Sequence, residues 1–206
     1  MIRRLASVIS MALNPLLMPT ILFAILFYYT AFMGNTMSNQ QMLYVLATIF
    51  VTTFLLPASC IIVLKVTHNI SNLKIMDRKE RYMPYIFISL FYLITTYLFF
   101  TKIKINTIFL VILCAITILM VLLTLITFFW KISTQSAAVC GLVGFLMAVS
   151  YKYPQDRLLF LLIFIILLAG FIMTSKLYLN ENDHKEIYWG GVLGYVISFS
   201  SVYFFT

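Results

Sequence analysis

Three polar stretches of this 206-residue chain contain the side chains that could do chemistry. In the first, residues 65–84, Lys74, Arg78 and Arg81 stand at positions i, i+4 and i+7, one face of a helix over two turns. Such a face could hold cationic groups over one phosphate, and arginine adds a planar fork of donors. The plainer interpretation, which spacing alone favours, is a basic loop held near lipid headgroups.

The second stretch leads from the polar sequence Lys-Ile-Ser-Thr-Gln-Ser, beginning at Lys131, into a run of small residues. Hydroxyls, an amide and free helix N–H groups at such a helix start could surround an anion. The alternative is an ordinary cap, Ser133 or Thr134, on a helix start. Both interpretations can hold together. In either case we expect the helix to pack closely through three small residues, Ala137, Gly141 and Gly144.

The third stretch is a short polar connection ahead of a glycine-rich helix. Its polar residues are Lys176, Asn182, Asp183, His184, Lys185 and Glu186. A single histidine in such a loop is more often solvated than catalytic. A metal site needs three or four converging ligands, and the spacing offers no such set. We therefore expect neither a metal nor another cofactor.

The composition defines the class of protein that positions these residues. Hydrophobic residues make up 63% of the chain and charged residues 10%, and the mean hydropathy is +1.05. Soluble domains are roughly 45–50% apolar and about 25% charged. The sequence therefore predicts an all-α fold, a polytopic transmembrane helix bundle of six or seven spans. Nucleic acid is excluded as a partner, because it would need a basic face on a soluble surface.

We predict a single integral membrane domain, residues 1–206, with residues 1–15 as an uncleaved interfacial segment. Pro15 and Pro19 should break the helix there, and Pro57 should kink the second span. If all spans cross, an even number of them separates the three polar stretches, which then lie on one side of the membrane. The predicted spans are about 16–33, 43–64, 85–101, 107–130, 132–151, 158–179 and 187–206.

The order of the three stretches resembles the order of the sequence motifs in the type 2 phosphatidic acid phosphatase superfamily. The members of this superfamily are integral membrane phosphatases that act on lipid phosphates. The family pattern is Lys, six residues, Arg-Pro; then Pro-Ser-Gly-His; then Ser-Arg, five residues, His, three residues, Asp. The resemblance covers about residues 57–195, and the phrases LNPLLMPT and DRKERYMPY are similar to a bacterial branch. It implies a multi-pass protein of the bacterial cytoplasmic (inner) membrane and an anionic lipid or lipid phosphate as partner.

The resemblance also implies a set of phosphate-binding residues. Lys74 and Arg81 match the first motif, although two residues intervene between Arg81 and Pro84. Ser133 stands at the family serine of the second motif. Lys176 stands for the arginine of the third. The implied phosphate-binding residues are therefore Lys74, Arg81, Ser133 and Lys176.

The two catalytic histidines of the family are not matched. Without gaps, Gln135 falls at the histidine that protonates the leaving group, Asn182 at the nucleophilic histidine and Glu186 at its orienting aspartate. Neither amide can replace an imidazole in attack or in proton donation near neutral pH. A shift of two residues makes His184 the nucleophile, but Tyr188 then stands in place of the acid. We favour the register without gaps.

These observations leave several functions open. The first hypothesis is a phosphatase-like protein with a cationic pocket for a phosphate headgroup and weak or absent phosphatase activity. The second is an active lipid or isoprenoid (pyro)phosphate phosphatase that uses His184. The third is a structural subunit of a membrane complex. A second copy of the chain or a protein partner in a complex is compatible with each of them.

Overall fold

The computed structural model describes residues 14–29, 38–67, 78–103, 105–154 and 156–205. Within these ranges every regular element is helical and no strand occurs. Six helices are long and apolar enough to cross a membrane, and a further apolar helix, Pro15–Tyr28, is shorter. The prediction of an all-α, multi-pass membrane protein with six or seven spans is confirmed.

The helices follow the predicted apolar runs closely. A 3₁₀ turn, Pro15–Leu17, leads into helix Met18–Tyr29, which is α1. Helix α2 consists of Asn39–Phe50, a π-helical turn Val51–Leu55 and Leu56–Val66. The bounds of the others are Arg78–Thr101 for α3, Thr107–Phe129 for α4, Thr134–Lys152 for α5, Asp156–Tyr178 for α6 and His184–Phe205 for α7.

Four helices, α2, α3, α6 and α7, begin earlier than predicted, because polar residues form their first turns. The prediction that the first connection runs on to Pro84 is wrong, because α3 begins at Arg78 and contains Pro84. Pro84 is the seventh residue of α3 and lies beyond the first N–H groups that have no intrahelical partner, so its missing N–H removes one intrahelical hydrogen bond. Likewise α7 begins at His184 rather than at residue 187, since polar residues form its first turn.

The prolines act mainly as helix starts. Asn14 caps the 3₁₀ turn through its side chain, which accepts the Leu16 N–H (3.2 Å), and Pro15 is its first residue. Pro19 lies in the first turn of α1, where a missing N–H costs nothing. At Pro57 the chain stays helical, from Asn39 to Val66, and a π-helical turn lies just before the proline. The kink expected at Pro57 stays a prediction.

The described residues fall into two compact units. Unit 2 extends from Pro19 to Lys131. In it α3 packs mainly against α4, and threonines join the two helices: Thr96 Oγ1 lies 2.6 Å from Thr117 Oγ1. Phe27 of α1 meets Phe109 of α4 edge to face, with ring centroids 5.0 Å apart.

Unit 1 contains the described residues up to Met18 together with those from Ile132 onward. Here α5 packs mainly against α7 and also against α6. Small residues let the α5 and α7 backbones approach: a Cβ on Gly144 would lie 2.7 Å from the Tyr195 carbonyl oxygen, and one on Gly194 would collide with Ala137. Ala137, Gly141 and Gly144 are all buried, so the predicted close packing of this helix is confirmed.

Candidate functional site

The first turns of α5 and α7 lie side by side in unit 1. The Ser133 N–H donates to the Glu186 carbonyl oxygen, with N and O 3.2 Å apart. One turn further into α7, a Cβ on Gly190 would lie 2.5 Å from the Ser133 carbonyl oxygen. The absence of a side chain at Gly190 therefore brings Ser133 next to the start of α7.

Ser133 caps α5 with its own hydroxyl. Its Oγ accepts the Ser136 N–H (3.4 Å) and the Ser136 hydroxyl (2.9 Å). This is the cap that a serine before a helix typically forms. Ser133 and Ser136 are both buried. The capping interpretation of the second polar stretch is thereby confirmed, and the hydroxyl of Ser133 is already engaged within the chain.

Glu186 organises the start of α7. Asp183 is the N-cap residue, because its carbonyl accepts the Ile187 N–H (3.1 Å). The Glu186 carboxylate turns back to accept the Asp183 N–H (3.2 Å) and the side-chain amide of Asn182 (2.7 Å). The first of these bonds is one half of a capping box. Asn182 and Glu186 are both buried. We call Ser133, Ser136, Asn182 and Glu186, whose side chains make these bonds, the polar end cluster.

The chain enters this cluster from α6 through a tight turn. Asn180 has a left-handed backbone, φ 51°. The Asn180 N–H donates to the Leu177 carbonyl (3.0 Å) and the Glu181 N–H to the Lys176 carbonyl (3.2 Å), which is the Schellman pattern of helix termination. The turn also brings two side chains together: Lys176 Nζ and Glu181 Oε2 form an ion pair at 2.6 Å.

The structure brings together some of the predicted site residues. Ser133, Asn182 and Glu186 belong to one cluster, and Gln135 is buried in the first turn of α5. Lys176 lies at the end of α6 and pairs with Glu181. His184 is the first residue of α7 and is exposed.

Two predicted phosphate ligands belong elsewhere in the chain. Arg81 is a buried residue of α3, in unit 2. Lys74 lies outside the described residues. The convergence of these cations with Ser133 and Lys176 stays a prediction. Across the described part of the chain, no group of three or more His, Cys, Asp and Glu side chains could hold a metal ion.

Sequence reasoning missed Asn180, Glu181 and Ser136. An asparagine just after the last apolar residue of a span is a known termination signal, so Asn180 could have been found. Ser136 stands three residues after the capping Ser133, and the side chain of a cap residue typically accepts the N–H at that position. Ser136 could therefore also have been found. The pairing of Glu181 with Lys176 depends on the left-handed turn, and no helical spacing rule predicts it.

Three exposed aromatic residues lie near this end of unit 1. Tyr178 at the end of α6 is 54% exposed, and in the first turns of α7 Tyr188 and Trp189 are 62% and 53% exposed. The Tyr188 and Trp189 rings meet edge to face, with centroids 5.7 Å apart. Tyrosine and tryptophan are enriched where a membrane meets water.

Comparison of the chain with protein-family models, with curated proteins and with solved structures yields no significant match.

Proposed function

We propose that this integral membrane protein is a non-hydrolytic relative of the lipid phosphate phosphatases that binds an anionic lipid headgroup at the polar end of α5, α6 and α7. The observation that carries the proposal is the pairing of Asn182 with Glu186. These are the positions at which the resemblance expects the nucleophilic histidine and the acid that orients it, and the 2.7 Å hydrogen bond joins them.

The chemistry of Asn182 argues against turnover. A carboxamide can hold Glu186 in place, as an imidazole N–H would, but its nitrogen lone pair is delocalised and does not attack phosphorus. The covalent route that such phosphatases need is then closed. Gln135 replaces the second histidine, and a missing general acid alone lowers a rate by about 10²–10⁴-fold.

The position of the cluster favours a headgroup as ligand. The exposed Tyr178, Tyr188 and Trp189 lie within one or two turns of it, and such aromatic residues sit at headgroup depth in membrane proteins. Lys185 is exposed in the first turn of α7. A lipid phosphate at this depth is therefore within reach of cationic side chains, and a cation near headgroups favours anionic lipids.

A second candidate function rests on the exposure of His184. This imidazole stands free to meet a lipid phosphate at the start of α7, whereas Asn182 is buried. An active phosphatase would then use His184 as nucleophile, without the acid four residues later that the family has. Phosphate release by variants of His184 and Asn182 distinguishes the two candidates directly.

The decisive experiment is phosphate release by the purified protein from phosphatidic acid, phosphatidylglycerol phosphate and an isoprenoid pyrophosphate. We expect no release above a protein-free control. The same preparation should retain phosphatidic acid in preference to phosphatidylcholine after detergent exchange. Turnover that His184→Ala abolishes and Asn182→Ala preserves would replace the proposal by the second candidate. Equal retention of both lipids, without turnover, would leave the structural-subunit hypothesis instead.

A further inference from the structure

The ion pair between Lys176 and Glu181 has properties that a surface pair lacks. Its side chains are only 15% and 12% exposed, and Nζ lies 2.6 Å from Oε2. Exposed pairs form and break readily because solvent screens them and because ordering two long side chains costs entropy. Here both side chains are shielded and the contact is short. A specific arrangement of the chain must therefore hold the two residues together.

That arrangement is the turn at Asn180. Its left-handed backbone folds the chain back onto the end of α6, and the Glu181 N–H then donates to the carbonyl of Lys176 (3.2 Å). Residues 176 and 181 are thus joined twice, once through the main chain and once through the side chains. The main-chain bond does not need the carboxylate, so the side-chain contact can open while the turn stays intact.

We infer that Glu181 is an internal competitor for anions at Lys176, an inference that rests on the proposed function. The carboxylate accepts from the ammonium group as a phosphate oxygen of a ligand would. A headgroup must displace it to reach Lys176, and rotation of the Glu181 side chain is enough to make room. The turn returns the carboxylate to the same place when the ligand leaves.

The charge balance of this segment determines which anions succeed. Residues 176–186 carry two lysines, Lys176 and Lys185, against three acids, Glu181, Asp183 and Glu186. A singly charged phosphodiester offers little more than the carboxylate that it replaces. A phosphate monoester, which carries close to two charges near neutral pH, competes better. The charge of the ligand therefore favours a phosphate monoester, such as the headgroup of phosphatidic acid, over a diester headgroup, while the competitor lowers the affinity of both.

The test measures ligand affinity of the full-length protein in detergent by titration calorimetry. The ligands are dihexanoyl phosphatidic acid, dihexanoyl phosphatidylglycerol as the diester, dihexanoyl phosphatidylcholine as the neutral reference, and inorganic phosphate. We expect Glu181→Gln to bind phosphatidic acid about three- to tenfold more tightly than wild type, the modest effect that one ion pair can exert. The diester should gain by a similar factor, because either ligand must displace the Glu181 carboxylate from Lys176.

Asp183→Asn is the matched control. It makes the same change of charge two residues away, at an exposed side chain, and asparagine caps a helix as well as aspartate. We expect it to change the affinity by less than about twofold, because solvent screens an exposed charge. In a Lys176→Gln background, Glu181→Gln should give a smaller gain in affinity, since the carboxylate then has no ammonium group at residue 176 to compete for.

The outcomes separate the inference from the proposed function. If wild type prefers phosphatidic acid but Glu181→Gln and Glu181→Ala bind it no better than Asp183→Asn does, the competitor role is refuted and headgroup binding stands. If neither wild type nor any variant prefers phosphatidic acid to phosphatidylcholine, headgroup binding and the competitor role fail together. If wild type binds inorganic phosphate as tightly as phosphatidic acid, and Glu181→Gln binds both more tightly, the competitor role holds and the ligand is free phosphate.

Discussion

Gly194 lies so close to Ala137 that a Cβ on the glycine would overlap the carbonyl oxygen and Cα of the alanine. The backbone of α5 thus fills the space in which a side chain on α7 would stand. We predict that Gly194→Ala lowers the free energy of unfolding by about 1–3 kcal/mol or more, because a rigid backbone cannot move aside. Thermal unfolding of the detergent-solubilised protein measures this as a lower melting temperature.

Gly170→Ala provides the matched control on α6. Nothing lies within 4 Å of a Cβ at this position, and alanine favours a helix over glycine by roughly 0.5–1 kcal/mol. The melting temperature should stay unchanged or rise. If both substitutions shifted it downward equally, close packing of α5 and α7 would not be the cause.

Asn180 provides a test of the turn after α6. Asn180→Ala should destabilise the protein by about 1 kcal/mol. Both residues have a Cβ that approaches the following carbonyl oxygen, but only the short polar side chain of asparagine can offset this by local hydrogen bonding. Glycine adopts the same conformation without that cost, so Asn180→Gly should melt at or above the wild-type temperature. Equal melting temperatures for the alanine and glycine variants would argue against a left-handed residue 180.

The hydrogen bond between Asn182 and Glu186 should also contribute measurably to the free energy of unfolding. Asn182→Ala removes a donor from a buried carboxylate, and hydrogen bonds to charged groups contribute about 1.5–3 kcal/mol. Asn182→Asp keeps the shape but replaces the donor by a second negative charge, so we expect a larger loss at neutral pH. Urea or thermal unfolding followed by circular dichroism gives the order wild type, alanine variant, aspartate variant. An aspartate variant as stable as wild type would contradict this contact.

In unit 2, the Thr96–Thr117 contact joins α3 to α4. Hydrogen bonds between transmembrane helices average about 0.6 kcal/mol in double-mutant cycles, so we expect a coupling energy of that size between Thr96→Val and Thr117→Val. Thr95 serves as the control, because its hydroxyl bonds back to the Phe91 carbonyl of its own helix (2.7 Å). Thr95→Val should show no coupling with Thr117→Val.

Apolar runs predicted the helices well because membrane-spanning segments need about 20 such residues each. The helix starts were predicted less well, because polar residues can belong to a first turn. Ser38 illustrates the missed signal: it and Gln41 form a complete capping box at the start of α2, and serine followed three residues later by glutamine is readable from sequence. The same sequence reasoning stopped at the apolar boundary and began the span at residue 43.

The candidate site was predictable only where its contacts are local. Asn182 and Glu186 are four residues apart, and the sequence register already assigned them to one motif. The neighbourhood of Ser133 and Glu186 could not be predicted, because it follows from two helices meeting at Gly190. The Lys176–Glu181 pair depends on the backbone of Asn180, and its five-residue spacing has no meaning on a continuous helix.

The π turn of α2 has a consequence for how this span tolerates length changes. The buried residues of the span follow one another every four positions, at Val45, Ile49, Thr53 and Pro57. In a regular α-helix a four-residue repeat drifts around the axis, since one turn takes 3.6 residues. The wider π turn offsets part of this drift and keeps the four residues on one side. Loss of a single residue between 51 and 55 would rotate the two halves of the span by about 100° relative to each other. Evolution can therefore substitute residues in this segment more easily than delete one.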